Sequence, residues 1–382
     1  MQGGNNMKMK ACLLDGFHQD FHWEDDIEII EPRANEIRVK IVSCGLCHTE
    51  RAEQVNLWGL GLPFPIVLGH EGAGIVESVG PGVSKFKVGD KVAMSTPWCG
   101  TCPACASGQP WACEHTDELE IRGVDYFGTP GPLSRNGKPV YTFFNQSALA
   151  EYSTIHINNC TKLPDDFDLR IAGPLGCGFR TGAGAVYNVC KPKLNEWVII
   201  TGTGAVGFAA MWTAKAMGAK TVMVDIVQHR LDTALELGAD AVLNSRGMSA
   251  DEMGEKLLEI TGGGAENMVE CTGAGICYKG GLKAVKWGGR CASVAFINEM
   301  EYKYFTTECH DCKNVQFIRM GNVAGDTIIP IMAELYKRGM FPFDKLIKFY
   351  KFEDLEQAME DAHTGATIKP VLLWELPEEE KA

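Results

Sequence analysis

Trp197-Val-Ile-Ile-Thr201-Gly202-Thr-Gly204-Ala-Val-Gly207 is the stretch on which the fold turns. Five residues of unbroken, largely apolar sequence suit a buried strand better than a helix. Behind them stand three glycines in G-x-G-x-x-G spacing, and then Val206 to Met217, helical in length and composition. In that strand–turn–helix context, Gly202 permits a tight turn. Gly204 and Gly207 permit close approach of a pyrophosphate to amides at a helix N-terminus. Asp225 ends the next strand-like run, Thr221 to Asp225, roughly twenty residues on, where a carboxylate suits the ribose hydroxyls of NAD and opposes a 2′-phosphate. Ile226 and Val227 follow it and supply no cation for such a phosphate. Gly202, Gly204, Gly207 and Asp225 are the candidate cofactor-binding residues, and NAD is the expected cofactor.

Outward from this motif the alternation continues. Leu231 to Leu237 reads as a short helix, and Asn267 to Cys271 and Arg290 to Ala295 read as strands. Strands alternating with helices predict βαβ units and a doubly wound parallel sheet. Before about Pro174 the texture differs. Short apolar runs such as Glu36 to Val42, Gly74 to Val79 and Asp90 to Met94 stand between Gly, Pro and polar residues. They predict a β-rich region with many turns, interrupted by a Cys- and Pro-rich loop from Pro97 to Cys113. Phe341 to Trp374 is mixed, and there are no repeats. With 382 residues, 45% of them hydrophobic, the chain exceeds one compact core, so two domains are expected.

The formal net charge of -13 argues against a nucleic acid or an anionic membrane surface as partner. No run is long and apolar enough to span a bilayer, and Met1 to Lys10 lacks a signal-peptide apolar region. A cytoplasmic location is therefore expected. In a reducing compartment fifteen cysteines are poorly explained by disulfides, whereas clustered thiols point to metal.

The densest cluster is Cys99-Gly-Thr-Cys102-Pro-Ala-Cys105, with Cys113 following. Four thiolates in one short loop can surround a single Zn²⁺ and close its shell, which makes the site structural rather than catalytic. Three dispersed pieces add further ligand types: Cys44-Gly-Leu-Cys47-His48-Thr49-Glu50, Gly69-His70-Glu71 and Gly176-Cys177-Gly178. None is decisive alone, because a single buried Cys or His is more often a core residue than a ligand.

Taken together, these pieces resemble the zinc-containing medium-chain alcohol dehydrogenases. The resemblance runs from about Lys10 to Trp374. Its most specific part is Gly69-His70-Glu71-Gly-Ala-Gly74 continuing to Gly80. Gly173 to Gly184 looks most like the aryl (benzyl) alcohol branch, and Phe341 to Lys345 and Ile368-Lys369-Pro370 are also similar. The resemblance implies a GroES-like catalytic domain from residues 1–178 and 323–382, and an NAD-binding Rossmann domain from 179–322. It implies an active site in the cleft between them and two zinc ions per chain.

It further implies that Cys47, His70 and Cys177 bind a catalytic zinc whose fourth position stays open, a ligand set that general zinc chemistry already illustrates with alcohol dehydrogenase. Glu71 would sit beside the ion, and Thr49 beside the substrate oxygen. Glu50 stands where the family usually has Asp, a longer side chain that changes the reach to His70. His48 and Lys369 match positions that face the coenzyme pyrophosphate, where many relatives carry Arg. Trp58, Ser95, Phe143 and Phe144 match the substrate-pocket wall. Some relatives end a proton relay on a histidine just after this helix start. Arg51-Ala52-Glu53 contains none, in keeping with the aryl branch.

The implied activity is hydride transfer between a primary alcohol, aryl or allylic, and NAD. The alternatives are a dehydrogenase for polyols, terpenoid alcohols or thiol adducts, and a non-catalytic coenzyme-binding relative. A homodimer or homotetramer is implied by analogy. Cys309-His-Asp-Cys312 reads as structural or surface. Cys12, Cys44, Cys160, Cys190, Cys271, Cys277 and Cys291 read as packing residues.

Overall fold

A computed structural model describes residues 6–295 and 311–375. The chain divides into two compact units, one of Met1–Cys177, Ala324–Ala333 and Asp344–Ala382, the other of Gly178–Val323 and Glu334–Phe343. Cys309 lies outside the described residues, whereas Cys312 is described and exposed.

The first unit is built on β1 (Met7–Leu14), β2 (His22–Ile29), β3 (Glu36–Gly45), β4 (Ile66–Val67), β5 (Gly72–Val79), β6 (Lys91–Met94), β7 (Leu133–Arg135), β8 (Lys138–Thr142), β9 (Tyr152–His156) and β10 (Cys160–Lys162). The last two strands of the chain, β17 (Ile347–Lys351) and β18 (Lys369–Leu373), join them. Five strands close a barrel in the order β1-β2-β7-β8-β4. The others form a sheet ordered β10-β6-β5-β3-β18-β17, with β9 also paired to β3. A strand with sheet neighbours on both sides is largely buried, and any polar side chain it buries needs a partner, as Glu36 finds in Arg33, Arg38 in Glu77 and Ser43 in the Leu169 carbonyl. β3 accordingly buries eight of its ten residues.

Register in this sheet gathers distant sequence. Cys44 on β3 lies opposite Gly72 on β5, and Gly45 lies opposite Val371 on β18. The residues just past the end of β3, just before β5 and at the start of β18 therefore meet at one sheet end. Helix α1 (His48–Gln54) starts there. A short helical turn at Gly173–Gly176 brings Cys177 to the same end. Only glycine fits at 176, since a Cβ there would stand 1.8 Å from the carbonyl oxygen of Met94.

The second unit holds β11 (Trp197–Thr201), β12 (Lys220–Asp225), β13 (Ala241–Asn244), β14 (Ala265–Glu270), β15 (Val285–Ser293) and β16 (Asn314–Phe317). They form one sheet ordered β13-β12-β11-β14-β15-β16, parallel at every pairing. Helices α2 (Gly178–Gly184), α3 (Ala205–Ala216), α4 (Gln228–Glu236), α5 (Ala250–Thr261) and α6 (Gly275–Lys283) supply the connections and flanks. This is the doubly wound α/β architecture that the sequence alternation predicts. Helix α3 is buried along most of its length, from Gly207 through Ala214, so it shows length and composition rather than an amphipathic stripe. Helix α5 is the opposite case, an amphipathic helix opened by a capping box between Ser249 and Glu252 and closed by Gly262 in the left-handed region. Two further helices, α7 (Gly325–Lys337) and α8 (Leu355–Thr364), follow in the C-terminal part. Among the described residues no helix is long and apolar enough to cross a membrane.

Two glycines of the fingerprint do different work. A Cβ on Gly207 would meet the Gly202 carbonyl oxygen at 1.9 Å, whereas a Cβ on Gly204 would meet nothing within 4 Å. We expect Gly207→Ala to lower the melting temperature by disrupting turn-to-helix packing. Gly204→Ala should melt like the parent but bind NADH at least about 10-fold more weakly, because the methyl group occupies space the pyrophosphate needs. Thermal melts and NADH fluorescence titrations of both variants check this.

Candidate metal centres and active site

In the cysteine-rich loop, Cys102 starts a short helical turn over Pro103–Ala106 and accepts the Cys105 amide on its sulfur. Cys99 Sγ accepts from the amides of Thr101 and Cys102 at 3.4 and 3.3 Å, and Cys113 Sγ accepts from the Cys99 amide at 3.3 Å. Amides aimed at sulfur favour thiolate. Burial opposes this at Cys99, but those donors prevail and bring its thiol down to about 6. The sulfurs of Cys99, Cys102, Cys105 and Cys113 all lie within 4.8 Å of one another. A tetrahedral zinc–thiolate centre has sulfur–sulfur edges of about 3.8 Å, and Cys99 and Cys105 stand 3.9 Å apart. The donor set and its spacing fit one zinc ion.

The dispersed pieces meet in the same unit. Cys47, His70, Glu71 and Cys177 each place a ligand atom within 4.8 Å of the others. His70 Nε2 is 3.2 Å from Cys177 Sγ. His70, Glu71 and Cys177 are buried, and Cys47 is partly so. The two sulfurs compete for one proton. Cys47 is held low by a hydrogen bond from Cys177 and by His70, while Cys177 is pushed up by that same bond to Cys47 and by burial. Two soft sulfurs and an imidazole nitrogen are a borderline-soft donor set suited to zinc.

Glu50 organises this cluster. It occupies the third position of α1, and its Oε2 accepts the Cys47 amide at 3.0 Å, completing a capping box with Cys47 as the cap. Its other oxygen lies 2.5 Å from His70 Nδ1 and accepts the His70 amide at 3.3 Å. The longer side chain thus reaches His70 while also starting the helix, an arrangement that leaves Nε2 of His70 on the sulfur side. Thr49 Oγ1 is 3.5 Å from Cys47 Sγ. Phe144 stacks on the His70 ring with centroids 4.8 Å apart, and Phe143 meets it edge-on at 5.8 Å. His48 is exposed, with its ring 6.4 Å from that of Trp58. Ser95 is buried, and its carbonyl accepts from Gln146.

Lys369, matched by the resemblance to a position facing the coenzyme pyrophosphate, is drawn into the cluster. It is 2% exposed, its Nζ lies 2.5 Å from Glu71 Oε2, and it donates to the Leu46 carbonyl at 2.9 Å. A buried ammonium requires such partners. Glu71 in turn is raised to about 7 by burial, against the pull of Lys369. This pairing was invisible in sequence, where 298 positions separate its members in the numbering; only the strand register at Gly45 and Val371 hints at it.

In the second unit Asp225 closes β12 as expected, but its carboxylate is heavily engaged. Oδ2 accepts from the Thr203 amide at 2.8 Å and hydroxyl at 2.5 Å, and Oδ1 accepts from the amides of Ile226 and Val227 at 2.7 and 3.0 Å. It fixes the Gly-rich turn as well as the strand end. Of the cysteines read as packing residues, Cys12, Cys44, Cys160, Cys190, Cys277 and Cys291 are buried and Cys271 partly so.

Residues 33–165 match the alcohol dehydrogenase GroES-like domain, and residues 205–335 match the zinc-binding dehydrogenase family. Geraniol dehydrogenase of Castellaniella defragrans is 33% identical over 92% of this chain and 94% of its own length. The chain belongs to the zinc-containing medium-chain alcohol dehydrogenases. The crystal structure of an alcohol dehydrogenase zinc-binding domain protein from Burkholderia ambifaria superposes with a TM-score of 0.90 at 35% identity, covering 98% of this chain and 100% of that one. Benzyl alcohol dehydrogenase from Acinetobacter calcoaceticus follows with a TM-score of 0.88 at 34% identity, covering 96% and 99%. The protein is thus an NAD-dependent zinc alcohol dehydrogenase that interconverts alcohols and aldehydes, related to the aryl branch.

The position of Glu50 in this dehydrogenase has a measurable consequence. Glu50→Gln removes the anionic partner of His70 while keeping the side-chain shape. Zinc should be lost to a competing chelator about 10–100-fold more readily than from the parent, and Glu50→Asp should lose it less readily than Glu50→Gln. Equal zinc retention in parent and Glu50→Gln would show that the carboxylate only caps the helix.

Proposed function

We propose that Cys47, His70 and Cys177 hold the catalytic zinc and that Cys99, Cys102, Cys105 and Cys113 hold a structural one. We further propose that the enzyme oxidises bulky primary alcohols, aryl or allylic, to aldehydes with NAD. The reading rests chiefly on the convergence of Cys47, His70, Glu71 and Cys177 at one sheet end, with Phe143 and Phe144 against the imidazole. Zinc supplies a Lewis acid for the substrate oxygen, and NAD supplies the hydride acceptor.

The chain's own residues do the rest. Glu50 fixes His70, and Glu71, paired with Lys369, adds negative charge beside the sulfurs. Thr49, half-buried beside Cys47, offers a hydroxyl that both accepts and donates, so it can take the alcohol proton. Gly202, Gly204 and Gly207 shape the turn for the coenzyme pyrophosphate, and His48 adds a polar group for it. Asp225 selects NAD over NADP, because a 2′-phosphate there would meet a carboxylate. Phe143 and Phe144, with Trp58 and Ser95, form the substrate wall.

The relatives named for geraniol and benzyl alcohol take primary alcohols whose carbinol carbon adjoins a π-system, which supports the substrate class. The catalytic domain would take residues 1–178 and 323–382, and the coenzyme domain 179–322. The working form would be a cytoplasmic homodimer or homotetramer, as sizing by light scattering would test.

Metal analysis should find two zinc ions per chain. Cys102→Ser should lower the melting temperature more than it lowers turnover per folded molecule, and Cys177→Ser the reverse. One ion with full activity would remove one of the two sites. Burying an aromatic ring gains roughly 25 cal/mol per Å², so kcat/KM for benzyl alcohol should exceed that for ethanol by roughly 10-fold or more. A preference for ethanol would overturn the assigned substrate class.

A further inference from the structure

Glu53 is the anomaly of this unit. Its side chain is 0% exposed, and neither carboxylate oxygen has a hydrogen-bond partner. Burying a carboxyl group without partners costs several kcal/mol, and nothing in the cluster already described requires it. Glu53 lies six residues beyond Cys47 and does not belong to the metal-ligand group.

Helix geometry gives it a neighbourhood. On α1, Thr49 and Glu53 are four residues apart and Glu50 and Glu53 three apart, so all three share one face, with roughly 5–6 Å between Cβ atoms. Side chains on a helix lean toward its N-terminus, which carries the Glu53 carboxyl group back toward Thr49 and Glu50. Glu50 is the charge that Glu53 feels, and its own oxygens are committed to Cys47 and His70. Among the described residues no cation pairs with Glu53, and Arg51 on the same helix donates to Gln54 instead. Helix α8 exposes Glu356, Glu360 and His363 and commits Asp361 to Tyr350 and Lys348. The loop tied to the end of α1 at Gln54 exposes Asp15, His18 and Asp20.

We propose that Glu53 is the proton store of the catalytic centre, exchanging a proton with Thr49 at each turnover in place of the histidine missing from Arg51-Ala52-Glu53. The inference rests on the role proposed for Thr49. During oxidation the substrate O–H proton passes to Thr49 Oγ1 as the Thr49 hydroxyl proton passes across one water to a Glu53 oxygen, which has no direct partner of its own. The carbinol carbon loses its hydride to NAD, so the alcohol is oxidised, NAD is reduced, and the carboxylate becomes a carboxylic acid. That acid returns its proton through the same water and the half-buried Thr49 to solvent before the next turnover. Burial, with the Glu50 charge added, raises Glu53 to about 7, so both protonation states are available near neutral pH. The unprotonated form is needed for oxidation, so turnover should fall as pH falls through about 7.

Three variants test this. Glu53→Gln keeps the shape but cannot hold the proton. It should lower kcat for alcohol oxidation about 10-fold or more, abolish the loss of turnover near pH 7, and leave zinc content and NADH affinity unchanged. Glu53→Met removes an unsatisfied polar group, so it should raise the melting temperature while lowering kcat. A melting temperature that falls together with kcat would mark Glu53 as structural and overturn the proposal, as would a Glu53→Gln enzyme with parental kcat and pH profile. Thr49→Val separates the two levels. If it turns over like the parent, the reading of Thr49 fails and the relay with it. If it is slow while Glu53→Gln is normal, only the role of Glu53 fails.

Discussion

One carboxylate holds together the end of the sheet where the candidate ligands Cys47 and His70 meet. Glu50 accepts the amide of Cys47, the amide of His70 and the His70 ring within a space closed to water. Those groups belong to the start of a helix and to the approach to β5, so a single side chain fixes two candidate ligands relative to each other. A charge-assisted hydrogen bond in a buried setting is stronger and more directional than its exposed counterpart. The aromatic rings packed on His70 depend on that ring being held still, as does its alignment with Cys177.

The same end of the unit concentrates negative charge. Glu50, Glu53 and Glu71 are all 0% exposed, and two sulfurs stand among the candidate ligands. Lys369 is drawn inward to Glu71, which supplies one compensating charge. A divalent cation held by two thiolates and an imidazole would supply more, in keeping with the metal centre proposed for this donor set. Glu53 stands outside that compensation, with no partner among the described residues. In an apolar core such an arrangement is a liability, and its persistence is understandable where proton transfer is required.

The coenzyme unit follows a different logic, set by backbone rather than charge. Six parallel strands place the ends of β11 and β12 side by side, so the Gly-rich turn and Asp225 meet although the turn and the second strand end are separated by a helix. Asp225 binds Thr203 within the turn itself. The residue proposed for the ribose is therefore also a brace for the Gly-rich turn.

Sequence alone determined the features whose signals are local. The apolar run into Gly202, Gly204 and Gly207, the alternation of strands and helices, and the four cysteines between residues 99 and 113 were legible because neighbours in the chain are neighbours in space. The reach of Glu50 to His70, the pairing of Lys369 with Glu71, and the isolation of Glu53 were decided only by tertiary structure. Each depends on strand register and helix packing that join segments tens to hundreds of residues apart. No local propensity records whether a glutamate one turn into a helix will face water, a cation or nothing at all.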